Sequence, residues 1–272
     1  MFPITQQQVQ EIQIDYTRCK ADAPDVDDVI KGNLEAKIPD VTTAFKTKGR
    51  SANAMWGKIS DQTVQYQFGE EQKDVTKCVV QFELPEDFGP PVFFYYRLSN
   101  FFQNHRRYVA SFSDKQLKGD AVSGSVINSS SCDPLRSDPV TGKPYYPCGL
   151  IANSFFNDSF TSPLMMGRDD PEEYKMESNT DIAWGTDKDL YGKTKYKANE
   201  VMPPPNWRKL WPDGYTDDLP PPDLSQWQAF MVWMRTAGLP TFSKLYQRNN
   251  RDAMKQGTYR VIIDDRECAP QS

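Results

Sequence analysis

Histidine is almost missing from this sequence: His105 stands alone among 272 residues. A Ser-His-Asp or Cys-His site would have to use that one ring as its base. Its neighbours Arg106 and Arg107 would lower its basicity rather than raise it. The ordinary reading is a structural histidine, hydrogen-bonded where a helix meets a strand. A zinc site built on histidines fails on the same count. Long apolar runs are also missing. No stretch of eighteen or more apolar residues occurs, so nothing here spans a bilayer as a helix. Basic excess is absent too: 32 Lys and Arg stand against 37 Asp and Glu, a net charge of −5. That argues against nucleic acid as a partner, although both signs are spread along the chain and leave room for a local basic patch. The opening "MFPITQQQVQEIQ" lacks the charged n-region and apolar h-region of a secretory signal. No G-x-G-x-x-G, phosphate loop or G-x-S-x-G element is present.

What the sequence does have is aromatics, at 12%, and 21 prolines. Together they predict short strands, turns and long ordered loops rather than a helical bundle. Five cysteines stand at 19, 78, 132, 148 and 268, none at metal-binding spacing. Two disulfides with one cysteine left over, in an oxidising compartment, and five scattered thiols in a reducing one are both open on composition. Carboxylates are plentiful, but nothing in the sequence selects a glycosidase-like pair. The acidic clusters "DVDD" (25–28) and "GRDDPEE" (167–173) lack the alternating ligands and central glycine of an EF-hand loop. Two Asn-x-Ser/Thr sequons, at Asn128 and Asn157, lean towards the secretory pathway when set beside separated cysteines.

Along the chain, "EIQIDY" alternates as a strand. "CVVQFELPED" places Val80, Phe82 and Leu84 on one face until Pro85 ends it. After "DFGPP", "VFFYYRL" puts Val92, Phe94, Tyr96 and Leu98 on one side and Phe93, Tyr95 and Arg97 on the other. The two runs read as an antiparallel pair joined by a Gly-Pro turn, with the second strand central and covered on both faces. Asn100 and Gln103 have capping-box spacing for a short helix. Residues 111–181 are turn-rich, and loops of such length are usually functional or pinned. A bridge between Cys132 and Cys148 would pin this one, contributing roughly 3 kcal/mol by chain entropy. "DLSQWQAFMVWMRTAGLP" predicts a helix capped by Asp223 with a Trp227, Phe230, Met231, Met234 stripe, stopped by Gly238 and Pro240. Val232 and Trp233 lie off that stripe and offer a second contact surface. "GTYRVII" reads as a strand. On the residues alone, a disulfide-stabilised extracytoplasmic interaction domain is better supported than an enzyme.

Five stretches carry more than composition: "FFYYRLSNFFQNHRRYVAS", "DKQLKGD", "YYPCGLIANSFFNDSF", "IAWGTD" and "WMRTAGLPTFSKLYQR". In that order they resemble the cell-division-cycle-protein-50 family, also called transmembrane protein 30. Its members are beta subunits of type IV P-type ATPases, the phospholipid flippases. The resemblance runs over about 9–263 and is nearest to the fungal and plant branches by cysteine placement and the "LPTF" segment.

The resemblance implies a mainly β fold with α insertions: an antiparallel β-sandwich core with long disulfide-pinned loops and a few short helices. Residues 1–272 would be a single ectodomain whose flanking transmembrane helices lie outside the sequence, in a full-length protein embedded in the membrane. It would face the lumenal or extracellular side of the endoplasmic reticulum, Golgi, endosome or plasma membrane. The work implied is non-catalytic. The domain would bind the exoplasmic loops of the ATPase catalytic subunit and support its folding, exit from the endoplasmic reticulum and transport cycle. No cofactor, metal or nucleic acid is implied, and a weak phospholipid headgroup contact is left open. Residue by residue, Cys19 matches a bridge to Cys78, and Cys132 a bridge to Cys148. Asn157 falls at a family glycosylation position, with Asn128 as a second sequon. His105, Arg106 and Arg107 form a structural motif, the arginines pairing with the chain's own carboxylates, and the helix bearing Trp233 offers a partner contact. The segment 264–272 departs from the family and leaves Cys268 without a partner. The competing reading is a secreted carbohydrate-binding or carboxylate-dependent glycoside hydrolase domain using the tryptophan-rich loop at 206–215.

Overall fold

The alternating runs "CVVQFEL" and "GTYRVII" lie side by side, with Val80 opposite Val261 and Cys78 opposite Ile263 in antiparallel register. The structure is a computed structural model that describes residues 9–66, 69–167 and 170–266. Its strands, in chain order, begin with β1 (Glu11–Ile14), β2 (Ala36–Lys37), β3 (Val41–Ala44), β4 (Met55–Val64) and β5 (Gln72–Leu84). They continue with β6 (Val92–Leu98), β7 (Ser159–Phe160), β8 (Leu164–Met165), β9 (Glu172–Glu173), β10 (Phe242–Asn249) and β11 (Gly257–Asp265). One antiparallel sheet runs β2-β4-β5-β11-β8-β9, with β7 also paired to β11. Two separate ribbons, β1-β3 and β10-β6, make a second layer.

Period-two alternation explains the layering. Cys78 and Val80 of β5 and Val261 and Ile263 of β11 share one buried cluster with Trp56 of β4. Tyr96 belongs to that cluster as well, and Ile14, Val41, Phe94 and Tyr246 pack against it from the ribbons. Phe160 is the joint: its ring meets Tyr16, Phe94, Phe156 and Tyr246 at 4.8–6.1 Å between centroids. Each such aromatic buries a large apolar area and gains a further 0.5–1.5 kcal/mol, roughly, from ring pairing. The ribbons are also tied to each other, since Arg97 Nη1 donates to Gln13 Oε1 at 2.7 Å. The result is the two-layered antiparallel arrangement expected.

The other face of the large sheet is closed by the segment 24–34. Buried Arg260 projects there and donates to the carbonyls of Val29, Ile30 and Gly32 and to Gln81 Oε1. Five donors in a fixed fork suit several carbonyls at once, which a lysine could not reproduce.

Two sequence expectations fail at β6. It does not pair with β5, because both edges of β5 are taken by the longer ladders to β4 and β11. The connection is spent crossing between layers: Phe88 and Met254 exchange backbone hydrogen bonds, and Asp87 accepts from Lys255 Nζ and Gln256 N. Nor is β6 covered on both faces. Its partner is β10 alone, and Phe93 and Tyr95 are 42% and 51% exposed. The capping box at Asn100 and Gln103 does not form either. Gln103 is buried, its Oε1 accepting from Ala237 N, and the helix begins at Arg106.

The turn-rich part of the chain packs a core of its own. Trp207, Trp211, Trp227, Phe230, Tyr146 and Tyr215 gather there. The short helix Leu150–Asn153 links that core to the sheet: Ala152 O accepts from Trp207 Nε1 at 2.9 Å and Ile151 O from Trp233 Nε1 at 2.7 Å. Trp227 divides the predicted helix in two, a 3-10 turn Leu224–Gln226 behind Asp223 and an α-helix Gln228–Met234.

Gly149 sets the entry to Leu150–Asn153. Its φ is +100°, and a Cβ there would stand 2.0 Å from Ser111 O, a backbone atom. Gly149→Ala is therefore expected to cost more than about 3 kcal/mol in chemical denaturation, combining left-handed strain with a backbone clash. A loss below about 1 kcal/mol would mean that the backbone gives way without cost.

Candidate functional site

Four cysteines form two bridges. Cys19–Cys78 spans a separation of 59 residues, joining the helix Cys19–Asp22 to β5, with Cα atoms 6.2 Å apart. Cys132–Cys148 spans 16 residues with Cα atoms 5.6 Å apart, and closes the long loop before Gly149. Loops of these lengths stabilise by about 4 and 3 kcal/mol, respectively, in the chain-entropy account. Around the second bridge pack Ile127 and Tyr145, so the loop has its own small core. Cys268 lies outside the described residues.

His105 is the N-cap of the helix Arg106–Ala110, its Nδ1 accepting weakly from Arg107 N at 3.4 Å. The ring is exposed rather than buried in a junction. Neither Arg106 nor Arg107 makes an ion pair with a described residue, so the expected pairing with the chain's own carboxylates does not form. The physical reason is position: all three side chains stand in solvent, where a surface pair gains little. Trp233 is also corrected. It is fully buried, and of the helix Gln228–Met234 only Ala229, Val232 and Met234 are half-exposed. Lys244 reinforces that burial by donating from β10 to the carbonyls of Val232, Trp233 and Arg235 at the helix C-terminus. Burial lowers its pKa to about 8, with the Arg235 charge acting in the same direction. Sequence reading missed this residue because a lone lysine in an alternating strand looks solvent-facing.

The sequons differ in setting. Asn128 is exposed at the end of the helix Gly124–Asn128, its Oδ1 accepting from Ser137 Oγ. Asn157 is half-buried, and its Nδ2 donates to Arg266 O at 2.7 Å. Beside it, Asp158 accepts from Tyr16 Oη at 2.9 Å and Arg266 N at 2.9 Å. Burial pushes its carboxyl up to about 6 against the hydrogen bond from Arg266 N, and the Asp265 charge adds to the rise.

The tryptophan-rich loop offers no sugar platform. Trp207, Trp211 and Tyr215 are buried in the second core. Among the described residues, no cluster of three or more His, Cys, Asp or Glu side chains is placed to hold a metal. What the surface does present is apolar. Phe93 and Tyr95 project from β6, with the Arg248 guanidinium 5.3 Å from the Phe93 ring. At the end of the same ribbon the loops 99–105 and 236–241 are hydrogen-bonded together, through Phe101 N to Pro240 O and Asn104 Nδ2 to Gly238 O. There Phe102 is 54% and Leu239 70% exposed, and the exposed Arg106 and Arg107 open the helix that follows the first loop. Aromatics flanked by arginine are the residue types enriched at protein interfaces. Among the described residues, no helix is long and apolar enough to cross a membrane.

The sequence matches the LEM3 (ligand-effect modulator 3) family / CDC50 family over residues 2–266. It is 44% identical over 266 residues to the phospholipid-transporting ATPase accessory subunit CDC50 of Chaetomium thermophilum, covering 94% of this chain and 63% of that protein. To the accessory subunit CRF1 of Saccharomyces cerevisiae it is 40% identical over 256 residues, 94% of this chain and 60% of that one. The cell cycle control protein 50A of Mus musculus is 41% identical over 183 residues, 62% of this chain and 48% of that protein. The chain thus spans about three-fifths of the length of the two fungal relatives.

Asp158 makes stability pH-dependent with a definite sign. Its pKa is raised in the fold, from 3.8 to about 6, so the native state holds the proton more tightly than the unfolded chain. The resulting stabilisation is complete below pH 4 and is lost as pH rises through 6. In urea unfolding from pH 4 to 7, wild type should lose about 2–3 kcal/mol relative to Asp158→Asn. A difference that stays flat with pH would show that Asp158 ionises normally.

Proposed function

The chain belongs to the LEM3 (ligand-effect modulator 3) family / CDC50 family, and from that premise we propose that it is the extracytoplasmic domain of an accessory subunit of a phospholipid-transporting ATPase. The observation that carries this reading is the 44% identity, over 94% of the chain, to a protein bearing that name. The domain performs no catalysis. It binds the lumenal or extracellular loops of the type IV P-type ATPase catalytic subunit and supports its folding, its exit from the endoplasmic reticulum and its transport cycle. The whole protein is held in the membrane by helices outside this sequence, and the domain faces the lumen of the endoplasmic reticulum, Golgi or endosome, or the cell exterior. Asn157 and Asn128 carry glycans in that compartment.

The two disulfides serve the fold in this reading, and the apolar outer face of the β6–β10 ribbon serves the contact. Phe93, Tyr95, Phe102 and Leu239 supply rigid area, and Arg106 and Arg107 supply charge at the rim.

Co-expression of the full-length protein with a type IV P-type ATPase tests the proposal. The ATPase should co-purify and form its phosphorylated intermediate only with the subunit present. Replacing Phe93 and Tyr95 by serine should lower ATPase recovery about ten-fold or more while secretion of the domain persists. Cys132→Ser should instead impair folding and export. Failure to recover any such ATPase with folded, exported protein would sink the reading, and unchanged recovery with the serine variant would move the contact elsewhere.

A further inference from the structure

The two sequons are held by different parts of the chain. At Asn128 the contacts are local: its Oδ1 accepts from Ser137 Oγ, nine positions on, and Ser130 Oγ donates to Ile127 O. The sequon at Asn157 is held at all three positions by the last residues the structure describes. Asn157 Nδ2 donates to Arg266 O at 2.7 Å, Asp158 Oδ1 accepts from Arg266 N at 2.9 Å, and Ser159 Oγ donates to Asp264 Oδ2 at 2.7 Å. These partners stand 109, 108 and 105 positions away along the chain. The backbone is engaged as well, since β7 pairs with β11 through Ser159 opposite Asp264 and Phe160 opposite Ile263.

Glycan transfer needs the same groups. The Nδ2 nitrogen forms a bond to the anomeric carbon of a sugar carried on a lipid diphosphate. The anomeric C–O bond breaks, its electron pair leaves with the diphosphate, and one Nδ2 proton passes to a base of the transferase. The Asn-x-Ser/Thr pattern means that the transferase also engages the hydroxyl two residues on. In the fold both the nitrogen and that hydroxyl are donating to Asp264 and Arg266. The sequon cannot be lifted into a second protein without breaking these bonds and the β7–β11 pairing. The reverse order raises no conflict. A glycosylated amide keeps one N–H to donate to Arg266 O, and the reaction leaves Ser159 unchanged.

We propose that Asn157 accepts its glycan only before β11 docks, and that the folded domain refuses it. Chains are synthesised at roughly 5–20 residues per second, so the stretch from the sequon to its cover leaves a window of about 5–20 s. Modification and closure of the sheet then compete for the same segment, and the glycan must come first. Asn128 is under no such constraint: it is exposed, and its side-chain contact with Ser137 is independent of β11. This order rests on the lumenal placement already proposed, which brings the sequons to a transferase.

Transfer in vitro tests the order. The disulfide-intact 272-residue chain, made without glycans, and the same chain reduced, alkylated and unfolded are each given a purified oligosaccharyltransferase with its lipid-diphosphate donor. Occupancy at each asparagine is followed by mass spectrometry. Asn157 should react at least about a hundred-fold more slowly in the folded chain, because only the locally opened population is a substrate. Asp264→Ala, which removes the acceptor of Ser159 Oγ, should recover about ten-fold of that loss while Asn128 reacts as in wild type. Equal rates at Asn157 in the folded and unfolded chains, or no reaction there in either, overturns the proposal. Glycans on neither asparagine of the full-length protein recovered from cells would instead sink the lumenal placement, and the comparison in vitro would still decide whether β11 closes the site.

Discussion

The fold depends on the pairing of β5 with β11. Nine residue pairs hold these strands together although 172 residues lie between Leu84 and its partner Gly257, so everything between them must be accommodated on their two faces. Because side chains alternate, that one register decides both layers at once. One face gives Cys78, Val80, Val261 and Ile263 to the aromatic layer under the ribbons. The other gives Arg260 to the carbonyls of 29–32. A slip by one residue would point Arg260 into the aromatic core and Ile263 at carbonyls, which makes the register hard to change. The Cys19–Cys78 bridge is fastened to this strand pair as well, so the first segment of the chain is tied to the element that forms last in sequence.

The intervening residues are accommodated by a second core. Trp207, Trp211 and Trp227 are the material of that core; the indole N–H of Trp207, like that of Trp233 in the sheet's own cluster, is satisfied by a carbonyl of one short helix. This is why the tryptophan-rich loop cannot serve a sugar and why Trp233 cannot serve a partner. Large amphipathic rings supply the volume a loop-rich region needs, and Trp211 is buried there although its Nε1 finds no acceptor. What remains outside is the smaller set of aromatics on β6, where the ribbon has no third layer to cover it.

Strand existence was legible because period-two alternation is local: "EIQI", "CVVQFEL", "VFFYYRL" and "GTYRVII" each lie in a strand. Partnership was not legible, because it depends on residues far away. The Gly-Pro turn after β5 suggested a hairpin, whereas the decisive facts are that β11 outcompetes β6 for that edge and that Asp87 and Phe88 bind residues 254–256. The long family motifs identified what composition could not, including both cysteine pairs. Solvent exposure was the least legible property. "NHRRYV" carries the same letters whether its arginines meet carboxylates or water, and only the placement of the helix Arg106–Ala110 on the surface decides it.

Three buried cations show how differently one fold meets a desolvated charge. Arg260 and Lys244 are both covered by backbone carbonyls, the first closing a sheet face and the second ending a helix. Their charges are spent inside the fold, and nothing else is required to explain them. Arg266 is buried to the same degree but has two nitrogens without a partner, and what faces it is the Tyr66 ring and the Asp264 carboxylate rather than backbone carbonyls. Burial alone cannot distinguish the three, nor can charge. The distinction is whether the chain supplies the acceptors, and at Arg266 it does not. A desolvated cation short of acceptors costs stability, so Arg266 is held in place by its surroundings, the Tyr66 ring and the Asp264 carboxylate, and not by a full set of its own hydrogen bonds.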